Sequence, residues 1–322
     1  MLSQDQDPFF AKNMYLNFGD LGQNAKEYVE QFAAKQADGK KLESIEDMKR
    51  FVEEYPEFRR LSGNVTKHVT LVTELSRRVS TDSLLDVSEL EQSLACNENH
   101  SQDVRTLQQM IQNPAIPPAN KLKLVAIYAL RYSGHVNNNT PALLDLLAVA
   151  GGISRHRINV ISKLLTYASS LQSGQQGGTG SLPDLFQPAQ NIFSEARSRF
   201  NRGLKGVDNV YTQHSPRLET TVQDLIKGRL SMNSHPFVEG GGQTREKPQD
   251  IFIFIVGGAT YEEAKMIAQV NASSPGVRVV LGGTAMLNST SFLAEVEEAV
   301  DSWPEPKPDT AAGRLRREVG RT

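Results

Sequence analysis

A chain of 322 residues with 39% hydrophobic and 22% charged residues has the length for two or three domains and the composition of an ordinary soluble protein. Its formal net charge of -2 offers no broad cationic surface for nucleic acid. The lone Cys96 excludes an internal disulfide and any cysteine-based zinc site, and the start MLSQDQDPFF lacks the basic and apolar regions of a signal peptide. No apolar run approaches the length of a membrane span, so the expected location is cytoplasmic.

From Met14 to Ala37, apolar residues recur at helical spacing (Leu16, Leu21, Tyr28, Phe32) until Asp38-Gly39-Lys40-Lys41 breaks the pattern. The next segment is the most regular of the chain. Met48, Phe51, Tyr55, Phe58, Ser62, Val65, Val69, Val72, Ser76 and Val79 follow at steps of three and four, a heptad seam that starts just after a capping signal at Ser44 and Asp47. At about 1.5 Å per residue this predicts a rod of roughly 50 Å, which with the preceding helix makes a projecting hairpin. Pro56 lies inside the rod and Gly63 follows; the proline predicts a kink or break near Glu53 to Tyr55, either as a helix boundary or as a hinge.

Further helices are predicted at Val87 to Cys96, Val104 to Gln112, Lys121 to Tyr132, Pro141 to Ala150, Arg155 to Leu171, Gln190 to Phe200 and Thr220 to Leu230. Pro114, Pro117 and Pro118 mark a domain boundary, Ser173 to Ser181 reads as a flexible loop, and Val238 to Lys247 as a glycine-rich linker. The chain then changes character. Ile251 to Val256 is a continuous apolar run of the kind that forms a parallel strand buried on both faces; it runs into Gly257-Gly258 and a helix opened by a capping box, Thr260 with Glu263. Val277 to Leu281, Gly282-Gly283-Thr284 and a helix from Ser291 to Val300 repeat the pattern, which reads as a right-handed crossover unit. Only two convincing strands are present, and two strands alone are marginal.

The fold class expected is mostly α with a small α/β part: a helical hairpin region at 1–115, a helical bundle at 116–237, a β-α-β-α remnant of a larger parallel sheet at 248–302 and a disordered tail at 303–322. The tail carries Pro304, Pro306 and Pro308 and then Arg314, Arg316, Arg317 and Arg321. The Gly257-Gly258 turn matches neither GxGxxG nor GxxxxGK[ST], and Glu262 and Glu263 bring negative charge to the place a phosphate would occupy. The six histidines are scattered without a metal-binding pair, there is no GxSxG elbow, and the carboxylates lie on mixed-charge helical faces. No cofactor, no metal and no small-molecule substrate are therefore expected, and the features that stand out are surfaces for binding helices. A helical structural adaptor and a nucleotide-binding enzyme built on the Gly257-Gly258 turn are the rival readings.

The blocks NMYLNFGDLGQNAKEYV, FVEEYPEFRRLSGNVTKHVTLVTELSR, LDVSELEQSLAC, LVAIYALRY, GLKGVDNVYTQHSP, LIKGRL, KPQDIFIFIVGGATYEEA and GVRVVLGGT, in that order over about residues 13 to 300, resemble the Sec/Munc (SM) family of syntaxin-binding proteins, its endosomal branch most closely. The resemblance implies an arch-shaped fold and no enzymatic activity. It also implies binding of SNARE proteins, syntaxin-type and vesicle-type, in membrane fusion, with peripheral attachment to Golgi, endosomal or vacuolar membranes through those partners. In the family a proline in the motif matching Tyr55-Pro56-Glu57-Phe58 controls extension of the hairpin, and Pro56 falls on it; Val69 falls on a position that faces a bound SNARE helix. The partner-binding residues expected are Met48, Phe51, Tyr55, Pro56, Phe58, Val65, Val69 and Val72. The resemblance further implies that the N-terminal domain and the first half of the central domain are absent, that the chain is a fragment or a truncated gene model, and that the sheet neighbours of Ile251 and Val277 belong to the absent part.

Overall fold

The structure is a computed structural model that describes residues 2–38, 45–96, 99–173, 211, 213–233, 235–238 and 248–299; the side chains of residues 35–58 and 170–173 lie outside the described set. The capping signal at Ser44, the helix expected at Gln190 to Phe200, most of the loop after Ser173, most of the linker after Val238 and the tail from 303 also fall outside it. The chain divides into two compact units, Met1–Leu84 and Leu85–Thr322.

In the first unit a short α1 (Pro8–Asn13) precedes α2 (Phe18–Asp38) and α3 (Ile45–Thr81), and α2 packs along α3. Asp7 caps α1 by accepting the Phe10 amide at 3.0 Å, and Pro8 occupies the first turn, where its missing N–H costs nothing. Asn17 does the same for α2 through the Asp20 amide at 2.9 Å. The helix is not interrupted at Pro56: α3 runs unbroken for 37 residues, so neither the predicted break nor Gly63 ends it. A proline removes one bond from the ladder, and complete turns on either side carry the helix across it.

In the second unit α4 (Leu84–Cys96), α5 (His100–Gln112), α6 (Pro118–Arg131), α7 (Thr140–Ala150) and α8 (Arg155–Ser173) enclose one core in which Leu94, Leu107, Ile111, Leu124, Tyr128, Leu143, Leu147 and Ile161 are 0% exposed. Val87, Leu90, Leu94, Val104 and Leu107 belong to that same core, and the second unit begins at Leu85. Asp103 is buried inside it and satisfied by Ser93 Oγ at 2.7 Å and Tyr132 Oη at 2.9 Å, as a buried carboxylate must be. Next comes α9 (Arg217–Ile226), which stops short of the predicted Leu230 because the Gly228 and Arg229 amides turn back onto the Leu225 and Asp224 carbonyls at 3.0 and 2.7 Å.

The α/β part follows as β1 (Asp250–Ile255), β2 (Ala259–Thr260), α10 (Tyr261–Ser273), β3 (Arg278–Gly283), β4 (Met286–Leu287) and α11 (Ser289–Ala299). β1 and β3 pair in parallel with Ile251 opposite Val279 and Phe252 opposite Val280; the short β2 and β4, which sequence reading missed, form a second parallel pair. The expectation of burial on both faces is overturned. Ile251 and Val279 pack with Val222 of α9 and with Met266, Ile267 and Val270 of α10, while on the opposite face Phe252 is 73% and Phe254 68% exposed. The crossover helix α10 covers one face, and α11 packs on α6 and α8, where Val296 joins the helical core, so no described element covers the other.

Candidate functional site

The long helix α3 has a buried seam with exposed apolar residues on both flanks, Val69 on one side and Leu71 with Leu75 on the other. Val65 is 6% and His68 5% exposed, whereas Val69, Leu71 and Leu75 are 40%, 40% and 45% exposed. Val72, two turns on from Val65, lies half-buried on the same seam. Residues four apart on a helix are offset by about 40°, which is enough to turn Val69 out of the groove that Val65 fills. Met48, Phe51, Tyr55, Pro56 and Phe58 continue the same helix, but their side chains lie outside the described residues. The polar side of α3 is quiet. Thr66, Thr70 and Thr73 donate back to the carbonyls of Ser62, Thr66 and Val69 at 3.0, 2.9 and 2.8 Å, and Arg77 and Arg78 both pair with Glu74 in solvent.

Lys67 and His68 of α3 enter a buried knot that sequence reading missed. Asp7 is 3% exposed and accepts from Lys67 Nζ and from His68 Nε2, whose distances to the two carboxylate oxygens are 2.9 and 2.8 Å. An ionised carboxylate only accepts, so His68 Nε2 carries the hydrogen. Phe9 closes the knot: its ring stacks on Tyr28 of α2 at 4.6 Å and lies 4.5 Å from His68. Asn13 donates to the Phe9 carbonyl at 2.7 Å and accepts from Asn24 of α2 at 2.6 Å, so each buried polar group of the knot has a partner. The only local signal was Asp7-Pro8, a helix start; its partners lie some sixty residues away.

Burial alone would raise the Asp7 carboxyl, but hydrogen bonds from Lys67, the Phe10 amide and His68 outweigh it and hold the group at about 2, below the usual 3.8. A carboxyl depressed on folding contributes stability that is full above its unfolded value and is lost as pH falls through the folded one. Wild type is therefore expected to be more stable than Asp7→Asn above pH 3.8, with the gap closing toward pH 2; denaturant unfolding followed by the Tyr28 near-ultraviolet signal checks it.

At the second site considered in the sequence, the capping box is complete. Glu263 N donates to Thr260 Oγ1 at 3.2 Å while the Glu263 carboxylate accepts the Thr260 amide at 2.8 Å. That amide is thus occupied by the chain's own carboxylate, and Glu262 adds a second negative charge in the first turn. No described helix is long and apolar enough to cross a membrane.

The fold and this helical pair place the chain among known proteins. Residues 1–295 match the model of the Sec1 family, and the chain belongs to that family. It is 46% identical over 297 residues to vacuolar protein sorting-associated protein 45 of Mus musculus, covering 92% of this chain and 50% of the relative. It is also 45% identical over 300 residues to the protein of that name in Schizosaccharomyces pombe, covering 92% of this chain and 52% of that one. A solved structure of the SM protein Vps45 in complex with the Qa SNARE Tlg2 superposes with a TM-score of 0.77 at 57% identity, over 94% of this chain and 50% of that chain. The chain thus spans about half the length of the relatives it matches.

Proposed function

We propose that this chain is a non-enzymatic SNARE-binding regulator of vesicle docking and membrane fusion in Golgi, endosomal and vacuolar protein transport, and that α3 carries the surface for a SNARE helix. The observation that carries this reading is Val69, apolar and 40% exposed on a 37-residue helix whose buried seam is already filled by its own unit. An exposed apolar residue beside that seam fits the apolar face of an amphipathic helix, and each aliphatic side chain covered stabilises the complex by about 1.5–3 kcal/mol. The similar Vps45 structure holding the Qa SNARE Tlg2 supports a syntaxin-type partner. A vesicle-type SNARE is the second partner of the proposal, and membrane attachment is peripheral, through these partners.

The partner-binding set runs from Met48, Phe51, Tyr55, Pro56 and Phe58 to Val69 and Val72; Val65, enclosed by its own unit, supports Val69 from beneath, and Leu71 and Leu75 lie on the opposite flank. The test is calorimetric titration of the chain with SNARE-motif peptides of both types. Val69→Asp is expected to abolish binding, because a carboxylate has no partner in an apolar seam, while Val149→Asp on α7, 84% exposed, leaves it unchanged. Binding that survives Val69→Asp removes α3 as the site, and no binding by the folded wild-type chain removes SNARE recognition by this chain on its own.

A further inference from the structure

We infer that Asp7 is the positioning residue of the α3 surface: by drawing Lys67 and His68 toward the N-terminal segment it sets the rotation of the helix, and so turns Val69, the next residue, outward. This rests on the reading of α3 as the partner-binding helix. The geometry behind it is specific. Lys67, His68 and Val69 are consecutive, and consecutive residues on a helix point about 100° apart. Fixing the first two on one carboxylate therefore leaves the third no freedom to turn inward. The carboxylate is itself fixed, because it also caps α1 through the Phe10 amide at 3.0 Å and is 3% exposed.

Phe9, carried by α1 two residues after the cap, is wedged between Tyr28 of α2 and His68 of α3, so one short segment contacts both helices of the pair. Charge is what the arrangement requires of residue 7. An asparagine would still cap α1 as well as an aspartate, but it presents one acceptor oxygen and no charge to an ammonium and an imidazole N–H. Asp7→Asn therefore separates the latch from the cap, and Asp7→Ala removes both.

The experiment uses the full chain and two readouts, amide hydrogen exchange of α1 and of residues 61–72, and calorimetric affinity for a SNARE-motif peptide. With Asp7→Asn, exchange of both segments is expected to speed up by about tenfold, the factor that loss of a charge-assisted hydrogen bond produces, and peptide affinity to fall several-fold. Asp7→Glu, which keeps the charge on a longer arm, is expected to recover part of both. Val69→Asp is the opposite control, with lost affinity and wild-type exchange. Unchanged exchange in Asp7→Asn overturns the latch whatever the peptide does. Faster exchange with unaltered affinity, in a chain whose binding Val69→Asp abolishes, overturns the positioning role. Binding insensitive to Val69→Asp instead overturns the proposed surface, and exchange alone then decides whether Asp7 fixes the helix.

Discussion

The chain is expected to self-associate through one face of β1, and replacing Phe252 and Phe254 together by serine is expected to leave it sedimenting as a monomer. The two rings stand side by side on the uncovered face of β1, 73% and 68% exposed, with Val256 at 83% beyond them and Val280 of β3 at 42% beside them. The edges of the pair are unequal. Asn271 of α10 accepts the Val279 amide at 2.7 Å and donates to the Val279 carbonyl at 2.9 Å, which closes the outer edge of β3 at that residue. Between Ile251 and Val256 the sequence of β1 has no lysine, no proline and no charge, the devices that usually keep an edge strand from recruiting another.

Burial of an exposed phenyl ring is worth about 1.5–3 kcal/mol, and the rings of two copies together offset much of an association cost of roughly 4–15 kcal/mol. Sedimentation velocity over a range of concentrations reads the outcome. Ile251 and Ile253, which pack toward α9 and α10, are untouched, so far-ultraviolet circular dichroism should not change. Asn271→Ala, which opens the second edge, should increase association. Serine variants that sediment as the wild type does would show that this face is not the contact.

Features set by neighbours in sequence were legible; features set by partners far along the chain were not. The capping box at Thr260 and Glu263 spans four residues and forms as read. The apolar runs at Ile251 and Val277 are strands because β-branched and aromatic side chains suit a pleated surface whatever lies above it. Which face of those strands is buried depends on the helices that reach them, and among the described residues only α9 and α10 do, so the reading of two buried faces failed for Phe252 and Phe254. On α3 the heptad steps identified a long helix, but steps of three and four cannot assign Val65 to the interior and Val69 to solvent. That assignment comes from Asp7 and Phe9, whose contacts with His68 no local pattern encodes. The same limit applies to Asn271, in the last turn of α10, which the fold uses to close a strand edge eight residues further on.

Gly258→Ala is expected to cost several kcal/mol, and Gly257→Ala clearly less, although the two residues share almost the same φ. Their φ angles are +108° and +106°, a region that side chains rarely adopt, so either alanine introduces strain of about 1–3 kcal/mol. The surroundings separate them. A Cβ at Gly257 meets nothing within 4 Å, whereas one at Gly258 lies 2.8 Å from Leu287 Cγ, 2.9 Å from Leu287 Cδ1 and 3.1 Å from the Ala285 carbonyl oxygen. Leu287 is 8% exposed and belongs to β4, and the Ala285 carbonyl accepts the Ala259 amide at 2.9 Å, so neither neighbour retreats without loosening the pairing of β2 with β4.

Overpacking of this kind adds about 1–3 kcal/mol at Gly258 and nothing at Gly257. Denaturant unfolding of the two variants measures the difference directly, and Leu287→Ala supplies the third corner of a double-mutant cycle. If the clash is the cause, Gly258→Ala should cost less in the Leu287→Ala background than alone, while Gly257→Ala should cost the same in both. Equal losses at Gly257 and Gly258 would reduce both glycines to backbone strain and remove close packing as the reason for the second. With that packing intact, the glycine pair is accounted for by contact with β4, and Thr260 that follows is engaged by Glu263.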